Sequence, residues 1–376
     1  VYPLLLQEAG YFSGSWRKAW GPGDLAGGGY TDTNPAGKVY KGGLSEFMKA
    51  KPAGQPFCFW LGSTDPHRPY EKGLGAQSGI NIHQVKLPAF YPDADEIRSD
   101  IADYYWEVQR FDSDIANALQ LLDSLGELEN TIVVVTGDHG MPFPRCKANL
   151  YDMGARVPLV ISWSAGIKKP GVFKGVVSLT DLAPTFLQVA GIKVPEEMTG
   201  HSLLPVMKAN DIIKAAQSRQ QVVYGRERHT PAQESPSMDG YPARAIRTGE
   251  YLLIKNFKPE RWPVGVPANS THPMESFSDC DDGPTKQYLI AHQDNVKVTP
   301  YYNLAFSKRP AVELYKLNTD PYQIKNLADD PAYGAIKNEL LKKLESELRK
   351  AKDPRVLNAH PSFDGYPYVG AEKLRR

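Results

Sequence analysis

Apolar positions along this chain follow two periods, and the change between them marks out the elements. Val133, Val134 and Val135 form an unbroken β-branched run, which predicts a strand buried on both faces, as strands of parallel sheets are. Residues 55–61, QPFCFWL, predict a second buried strand. Between the two runs, residues 95–125 place Ile101, Tyr104, Tyr105, Val108, Phe111, Ile115, Leu119 and Leu122 at helical spacing. That stripe predicts one long packing helix or two joined ones, with Asp112 and Asp114 on its solvated side. YPLLLQEA near the start predicts a short helix closed by Gly10. Residues 175–182 followed by APTFLQVAGI predict strand, turn and helix, with Pro184 at the helix start and Gly191 at its end. Beyond Lys208 the texture changes. VVYGRERH, ARAIRTGEYLLIKNF and AVELYKLNTDPYQIKNL predict short strands among turns, and residues 332–350 a final helix charged over most of its surface. The pattern is that of an α/β chain with a domain over residues 1–212 and a smaller α+β domain, an antiparallel sheet with a helix on it, over residues 213–376.

Composition narrows the functional classes. The 376 residues are 41% hydrophobic and 23% charged, with 44 Lys and Arg against 43 Asp and Glu. A net charge of +1 gives no basis for broad nucleic-acid or membrane affinity, so recognition of an anion has to be local. No apolar stretch approaches the roughly 20 residues of a membrane helix. Cys58, Cys146 and Cys280 lack metal-ligand spacing and imply no disulfide framework, although one bridge is open to them. Asn269-Ser270-Thr271 fits a glycosylation sequon. The sequence opens at Val1 without a methionine or a signal-peptide pattern, and reads as a fragment or a processed product.

Candidate chemistry gathers after the valine run. Asp138 and His139 follow it directly, where α/β sheets place ligands beyond the carboxyl ends of their strands. Gly137 and Gly140 flank the pair and let the backbone bend, and Pro142 and Pro144 keep a helix from starting before Lys147. Asp plus His is a metal-ligand pair, and a nearby lysine suits an anionic substrate; the same triplet also suits a plain turn in which Asp138 accepts backbone hydrogen bonds. His67 is presented between Pro66 and Pro69 after the 55–61 strand, and Lys18 lies in GYFSGSWRKAWGPG. Arg226, Arg228 and His229 stand together in YGRERHT, and residues 278–286, SDCDDGPTK, read as a turn ending in Lys286.

GDHG, then Lys147, then NLYDMGARVPLVI resembles the second metal-binding segment of the sulfatases, within the alkaline-phosphatase superfamily. PFP followed by a basic residue and NLY is most similar to the heparan N-sulfatase branch. LTDLAPTFLQVAGIKVPEEMTGHSLLP and ELYKLNTDPYQIKNLADDP extend the resemblance over nearly the whole chain. It implies a mostly parallel central sheet flanked by helices, a smaller carboxyl-terminal antiparallel sheet with a helix, and hydrolysis of a sulfate ester or sulfamate. It further implies that Asp138 and His139 hold a metal, calcium by family and manganese or zinc by the imidazole's own preference. Lys18 and Lys147 would then bind sulfate oxygens, and His67 would protonate the departing amine or alcohol. Arg226, Arg228, His229 and Lys286 are the candidates for substrate binding. The implied partner is a sulfated glycan, terminal glucosamine N-sulfate of heparan first and an O-sulfated glycan next, with no nucleic acid or membrane partner, a homodimer as an option, and a secreted, periplasmic or lysosomal location.

Two departures stand out. The family's Cys/Ser-x-Pro-x-Arg motif, whose first residue becomes the formylglycine nucleophile, is matched by none of the three cysteines and by no serine. Trp20 occupies the position, two after Lys18, where the family has a histidine. The chain as given is therefore expected to be incomplete and without turnover. A phosphodiesterase or phosphonate hydrolase of the same superfamily and a noncatalytic glycan-binding relative are the alternatives.

Overall fold

A computed structural model describes the chain except for residues 21–23, 32–33, 168, 235–236, 268–275, 359–360 and 369–376. The Asn269 sequon lies outside the described residues. The chain divides into two compact units, Val1–His67 with Glu107–Val134 and Ile161–Arg219, and Arg68–Trp106 with Val135–Val160 and Gln220–Arg376.

The first unit holds a parallel sheet of strands β1 (Phe12–Arg17), β2 (Lys38–Val39) and β3 (Phe57–Gly62) in the order β2-β1-β3. The expected strand over residues 55–61 is β3; β1 escaped prediction because FSGSWR lacks an apolar alternation. Its interior positions are nonetheless buried, since the helix Gly43–Ala50 packs Phe47 against the sheet. The rings of Phe12, Tyr40, Phe57 and Phe59 surround Phe47 at centroid distances of 4.7 to 5.9 Å. Gly14 is small for that reason, because a Cβ there would lie 2.7 Å from both Phe47 and Tyr40. The helix Tyr2–Glu8 forms as expected, and Gly10 takes the left-handed conformation that ends it.

Residues 175–182 do not form the expected strand. Leu179–Asp181 is instead a single 3₁₀ turn leading into the helix Leu182–Val189, because Ser178 and Asp181 close a reciprocal capping box at the helix entrance. Asp181 also accepts hydrogen bonds from the His201 amide and from Arg219, both at 2.7 Å, which makes it a structural carboxylate.

In the second unit β6 (Gln221–Arg226), β7 (Ala243–Thr248), β8 (Tyr251–Asn256) and β9 (Val312–Lys316) form the expected antiparallel sheet in the order β6-β7-β8-β9. Alternate residues face opposite sides. Ile246, Leu253 and Leu314 pack against Leu340, Leu344 and Leu348 of the helix Gly334–Lys350, while Ala245, Leu252, Ile254 and Tyr315 pack against Leu150 and Tyr151. A third cluster includes Phe90, Ile97, Ile101, Phe143, Phe277 and Phe306.

The predicted long helix is one continuous element, Asp95–Ser124. Its buried positions follow the apolar stripe read in the sequence only in part, at Ile101 and Leu122. Tyr105 and Val108 are exposed, whereas Asp100 and Asp103 are buried at 1% and 3% exposure. The carboxylates are buried because they are used. Asp100 accepts hydrogen bonds from Arg68 and from the amide and hydroxyl of Thr285, and Asp103 accepts from the amides of Gly73 and Gly75. Asp114, expected to be merely solvated, pairs with Arg17 at 3.3 Å. Strand β4 (Val133–Thr136) pairs with β5 (Leu159–Ser162) in a two-stranded sheet. Its valines are half-buried rather than buried on both faces, because among the described residues β5 is its one hydrogen-bonded neighbour.

All three cysteines are free thiols. Burial pushes Cys146 and Cys280 up to about 12 and Cys58 up to about 11.

Glycine positions give a direct test of packing. A Cβ on Gly62 would lie 1.6 Å from the Lys18 carbonyl oxygen, whereas one on Gly334, the first residue of its helix, meets nothing within 4 Å. Gly62→Ala is expected to cost about 3 kcal/mol or more. Gly334→Ala should leave stability unchanged or raise it by about 1 kcal/mol. Urea denaturation midpoints of the two variants measure the contrast.

Candidate active site

Four of the nominated side chains follow within five residues of strand ends. Lys18 comes immediately after Arg17, the last residue of β1, and its backbone amide donates to the Gly62 carbonyl at the end of β3. Its carbonyl accepts from the Trp60 indole N–H at 3.0 Å. His67 follows β3 by a five-residue step, in a turn where its amide donates to the Thr64 carbonyl. Both side chains are exposed. β1 and β3 are paired parallel neighbours, so Lys18 and His67 issue from the same, carboxyl, end of one sheet. Trp20 packs edge-on against Tyr30 at 5.4 Å, which makes it part of an aromatic contact where the resemblance expects an imidazole.

Asp138 and His139 come two and three residues after Thr136, the end of β4. His139 Nδ1 lies 2.7 Å from the Gly140 carbonyl oxygen and can only donate to it, which assigns the lone pair to Nε2. Nε2 lies 3.7 Å from Asp138 Oδ1. Gly140 serves close approach rather than a sharp bend. Its amide donates to the Gly154 carbonyl at 2.8 Å, and a Cβ there would lie 1.8 Å from the Met153 carbonyl oxygen.

Residues 142–147 are then buried without a break, in irregular backbone. Buried irregular backbone is stable only if its polar groups find partners. The Pro142 carbonyl takes Arg68 Nε at 3.0 Å, and the Pro144 carbonyl takes the Tyr91 hydroxyl at 2.5 Å. Further along, the Ala148 carbonyl takes the Arg226 guanidinium, and the Leu150 carbonyl takes the Tyr224 hydroxyl at 2.9 Å. Arg68 itself lies over the rings of Tyr70 and Phe143 at 4.4 and 4.5 Å. Arg145 and Ala148 both adopt φ near +60°, a conformation a non-glycine residue keeps only where its surroundings determine it.

Four of the five cations nominated in this unit come together on one short segment, residues 279–281. Lys147 Nζ binds both carboxylate oxygens of Asp281, at 2.8 and 3.0 Å. Arg226 pairs with Asp279 at 2.8 Å, His229 Nδ1 lies 3.5 Å from the same carboxylate, and Thr230 donates to it from both amide and hydroxyl. Lys286, fully enclosed, donates to the Cys280 carbonyl at 3.0 Å. Burial opposes the charge on Asp279, but the hydrogen bond from His229, the Arg226 charge and the Thr230 bond outweigh it and hold the carboxyl below the usual carboxylate range. Burial likewise lowers Arg226, against the pull of Asp279. Arg228 is used elsewhere: it donates to the carbonyls of Met238, Tyr366 and Pro367. Asp279 and Asp281 were not nominated from the sequence. The signal available was the reverse of the one sought, since several inward-facing cations in a near-neutral chain require buried acids.

The chemistry of the donor set can be tested against a metal. Asp138 Oδ1 and His139 Nε2 are separated by the distance expected of two neighbouring ligands, each about 2.0 to 2.4 Å from one ion. The other ring nitrogen is held by a carbonyl, as metal-binding histidines are. The pair therefore fits as two donors. Among the described residues, no group of three or more His, Cys, Asp or Glu side chains forms a complete set.

The sulfatase family profile matches residues 5–192, half of the chain. This chain belongs to the sulfatase family. A second profile, the carboxyl-terminal part of N-sulphoglucosamine sulphohydrolase, matches residues 137–276. Human N-sulphoglucosamine sulphohydrolase is 28% identical over 391 residues, spanning 93% of this chain and 72% of that protein. An ulvan-active sulfatase of Formosa agariphila is 28% identical over 311 residues, spanning 81% of this chain and 54% of its own length. This chain thus spans between about half and three quarters of the length of those relatives. In fold it is similar to a solved structure in complex with its substrate D-glucosamine-2-N,6-O-disulfate, at a TM-score of 0.58 and 18% identity, covering 95% of this chain and 83% of the other. The expected α/β fold, with parallel and antiparallel sheets, is that of its structural neighbours. No described helix is long and apolar enough to cross a membrane.

Asp279 carries a pH prediction for this chain. A carboxyl depressed in the folded state contributes stability that is complete above its unfolded value, about 4, and is lost as pH falls through the lower folded value. Asp279→Asn is expected to cost about 3 to 5 kcal/mol at pH 7, because it leaves Arg226 buried without its counter-charge. Thermal melting at pH 7 and pH 3 should show the gap between variant and wild type closing in acid.

Proposed function

We propose that this chain belongs to a sulfatase-type hydrolase of sulfated glycans, with N-sulfoglucosamine at a heparan end as the preferred unit and O-sulfated glycans next. The observation that carries this reading is the match of the N-sulphoglucosamine sulphohydrolase profile to residues 137–276, the stretch that contains Asp138, His139, Lys147, Arg226 and His229. The 28% identity to the human enzyme supports the same branch.

Breaking an S–N or S–O bond places charge on the sulfuryl oxygens and on the departing atom, so fixed positive charge and a proton donor are what the chain has to supply. Lys18 and Lys147 are assigned to the sulfuryl oxygens as point charges. His67, in its exposed turn after β3, is assigned the proton that goes to the leaving amine or alcohol. Asp138 and His139 would hold a divalent cation, calcium by family, which when bound supplies further positive charge at the sulfuryl oxygens. The Gly140 carbonyl keeps the His139 proton on Nδ1 and so keeps Nε2 available as a donor. His229, exposed beside Asp279, is the substrate-binding candidate best placed to meet a ligand, whereas Arg226, Arg228 and Lys286 already hold the fold together. No residue of this sequence matches the formylglycine motif, so the attacking oxygen is assigned to none of them.

Calcium or zinc retained by the full chain after dialysis, measured by elemental analysis, should fall to background in Asp138→Ala; unchanged metal content removes Asp138 from the site. Titration of glucosamine N-sulfate should show Lys147→Met and Lys18→Met each binding about tenfold more weakly, the loss of one charge-assisted contact of about 1.5 kcal/mol. Affinity indifferent to both substitutions would defeat the assignment.

A further inference from the structure

We infer that Asp281 sets the charge selectivity of the oxyanion site, making it accept singly charged esters and reject dianionic ones. The inference rests on the reading of Lys147 as an oxyanion-binding residue. Lys147 is mostly buried, and Asp281 engages its ammonium through both oxygens at 2.8 and 3.0 Å. The two side chains keep 10% and 18% of their exposure, so the pair is not sealed from solvent, while the neighbouring Asp279 is enclosed at 3%.

Asp281 also lies in a segment fixed from several sides. Residue 279 is tied to Arg226 and Thr230, and the carbonyl of residue 280 is tied to Lys286. A carboxylate held this way stays beside the ammonium when an anion arrives. The anion is then attracted by Lys147 and repelled by Asp281, and both terms scale with its charge. A lone buried ammonium would favour a dianion over a monoanion. The pair, close to neutral, removes that advantage, leaves hydrogen bonds to the ammonium as the main attraction, and leaves the larger desolvation cost of a dianion uncompensated. Sulfate monoesters and sulfamates carry one negative charge, whereas a phosphate monoester carries two above its second pKa of about 6. Asp281 therefore discriminates between two tetrahedral esters of nearly the same shape.

Phenyl sulfate and phenyl phosphate, titrated calorimetrically into the full chain, test this. In the wild type at pH 8, phenyl sulfate should bind at least as tightly as phenyl phosphate despite its smaller charge. Asp281→Asn should raise phenyl phosphate affinity about tenfold more than phenyl sulfate affinity. A measurement on the wild type alone gives the same information without the variant. Lowering the pH from 8 to 5.5 protonates phenyl phosphate to a monoanion, and the phosphate-to-sulfate affinity ratio should rise severalfold. A ratio that moves neither with pH nor in Asp281→Asn, while binding still depends on Lys147, overturns the selectivity and leaves the Lys147 reading intact. No binding of either ester, or binding unchanged in Lys147→Met, overturns the Lys147 reading and this inference with it.

Discussion

Hydrogen bonding to the buried backbone after His139 is the constraint on which the second unit depends. Residues 142–147 have no regular structure to pair their carbonyls, and an orphaned buried carbonyl costs about 1 to 3 kcal/mol. Arg68 and Tyr91 supply donors to this segment at Pro142 and Pro144, and Arg226 and Tyr224 do the same just beyond, at Ala148 and Leu150. Arg68 is itself fixed by Asp100, and Arg226 by Asp279. The buried acids of the helix Asp95–Ser124 and of the 279–281 segment are thus the second layer of the same requirement. Polar side chains inside this unit support a loop that hydrophobic packing alone could not hold.

The elements whose burial follows one period were legible in the sequence. β3, the long helix, the antiparallel sheet and the helix Gly334–Lys350 all show that period, and all are present. β1 was not legible, because Ser13, Gly14 and Ser15 are small rather than apolar and are buried by the Phe47 aromatic cluster brought from another segment. The strand expected over residues 175–182 failed for a local reason, since a Ser and an Asp three apart favour a capped turn over extension. On the long helix, the apolar stripe gave the correct element and part of its buried face: Ile101 and Leu122 are buried, Tyr105 and Val108 are not. A carboxylate with a partner is as buriable as a leucine, and the partners of Asp100 and Asp103 lie in loops that periodicity does not see.

The candidate site was legible in its residue types and only partly in their company. The positions of Lys18, His67, Asp138 and His139 after strand ends follow from the order of strand and loop that the sequence displays. The counter-charges do not. Lys147 and Arg226 are equally convincing as anion-binding cations in the sequence, yet one is held by an acid within reach of solvent and the other by an acid sealed in the interior. Charge patterning in one dimension identifies candidates; the exposure of each acidic partner is what sets Lys147 apart from Arg226.

The free thiols have a practical consequence. Burial pushes both Cys146 and Cys280 away from the thiolate, which is the form that reacts. Neither of these two buried sulfurs is open to alkylation or oxidation until the surrounding core opens, whereas Cys58 is half-buried. Cys146 directly precedes Lys147 and Cys280 directly precedes Asp281, so the rate at which a thiol reagent labels them would time the breathing of that part of the molecule.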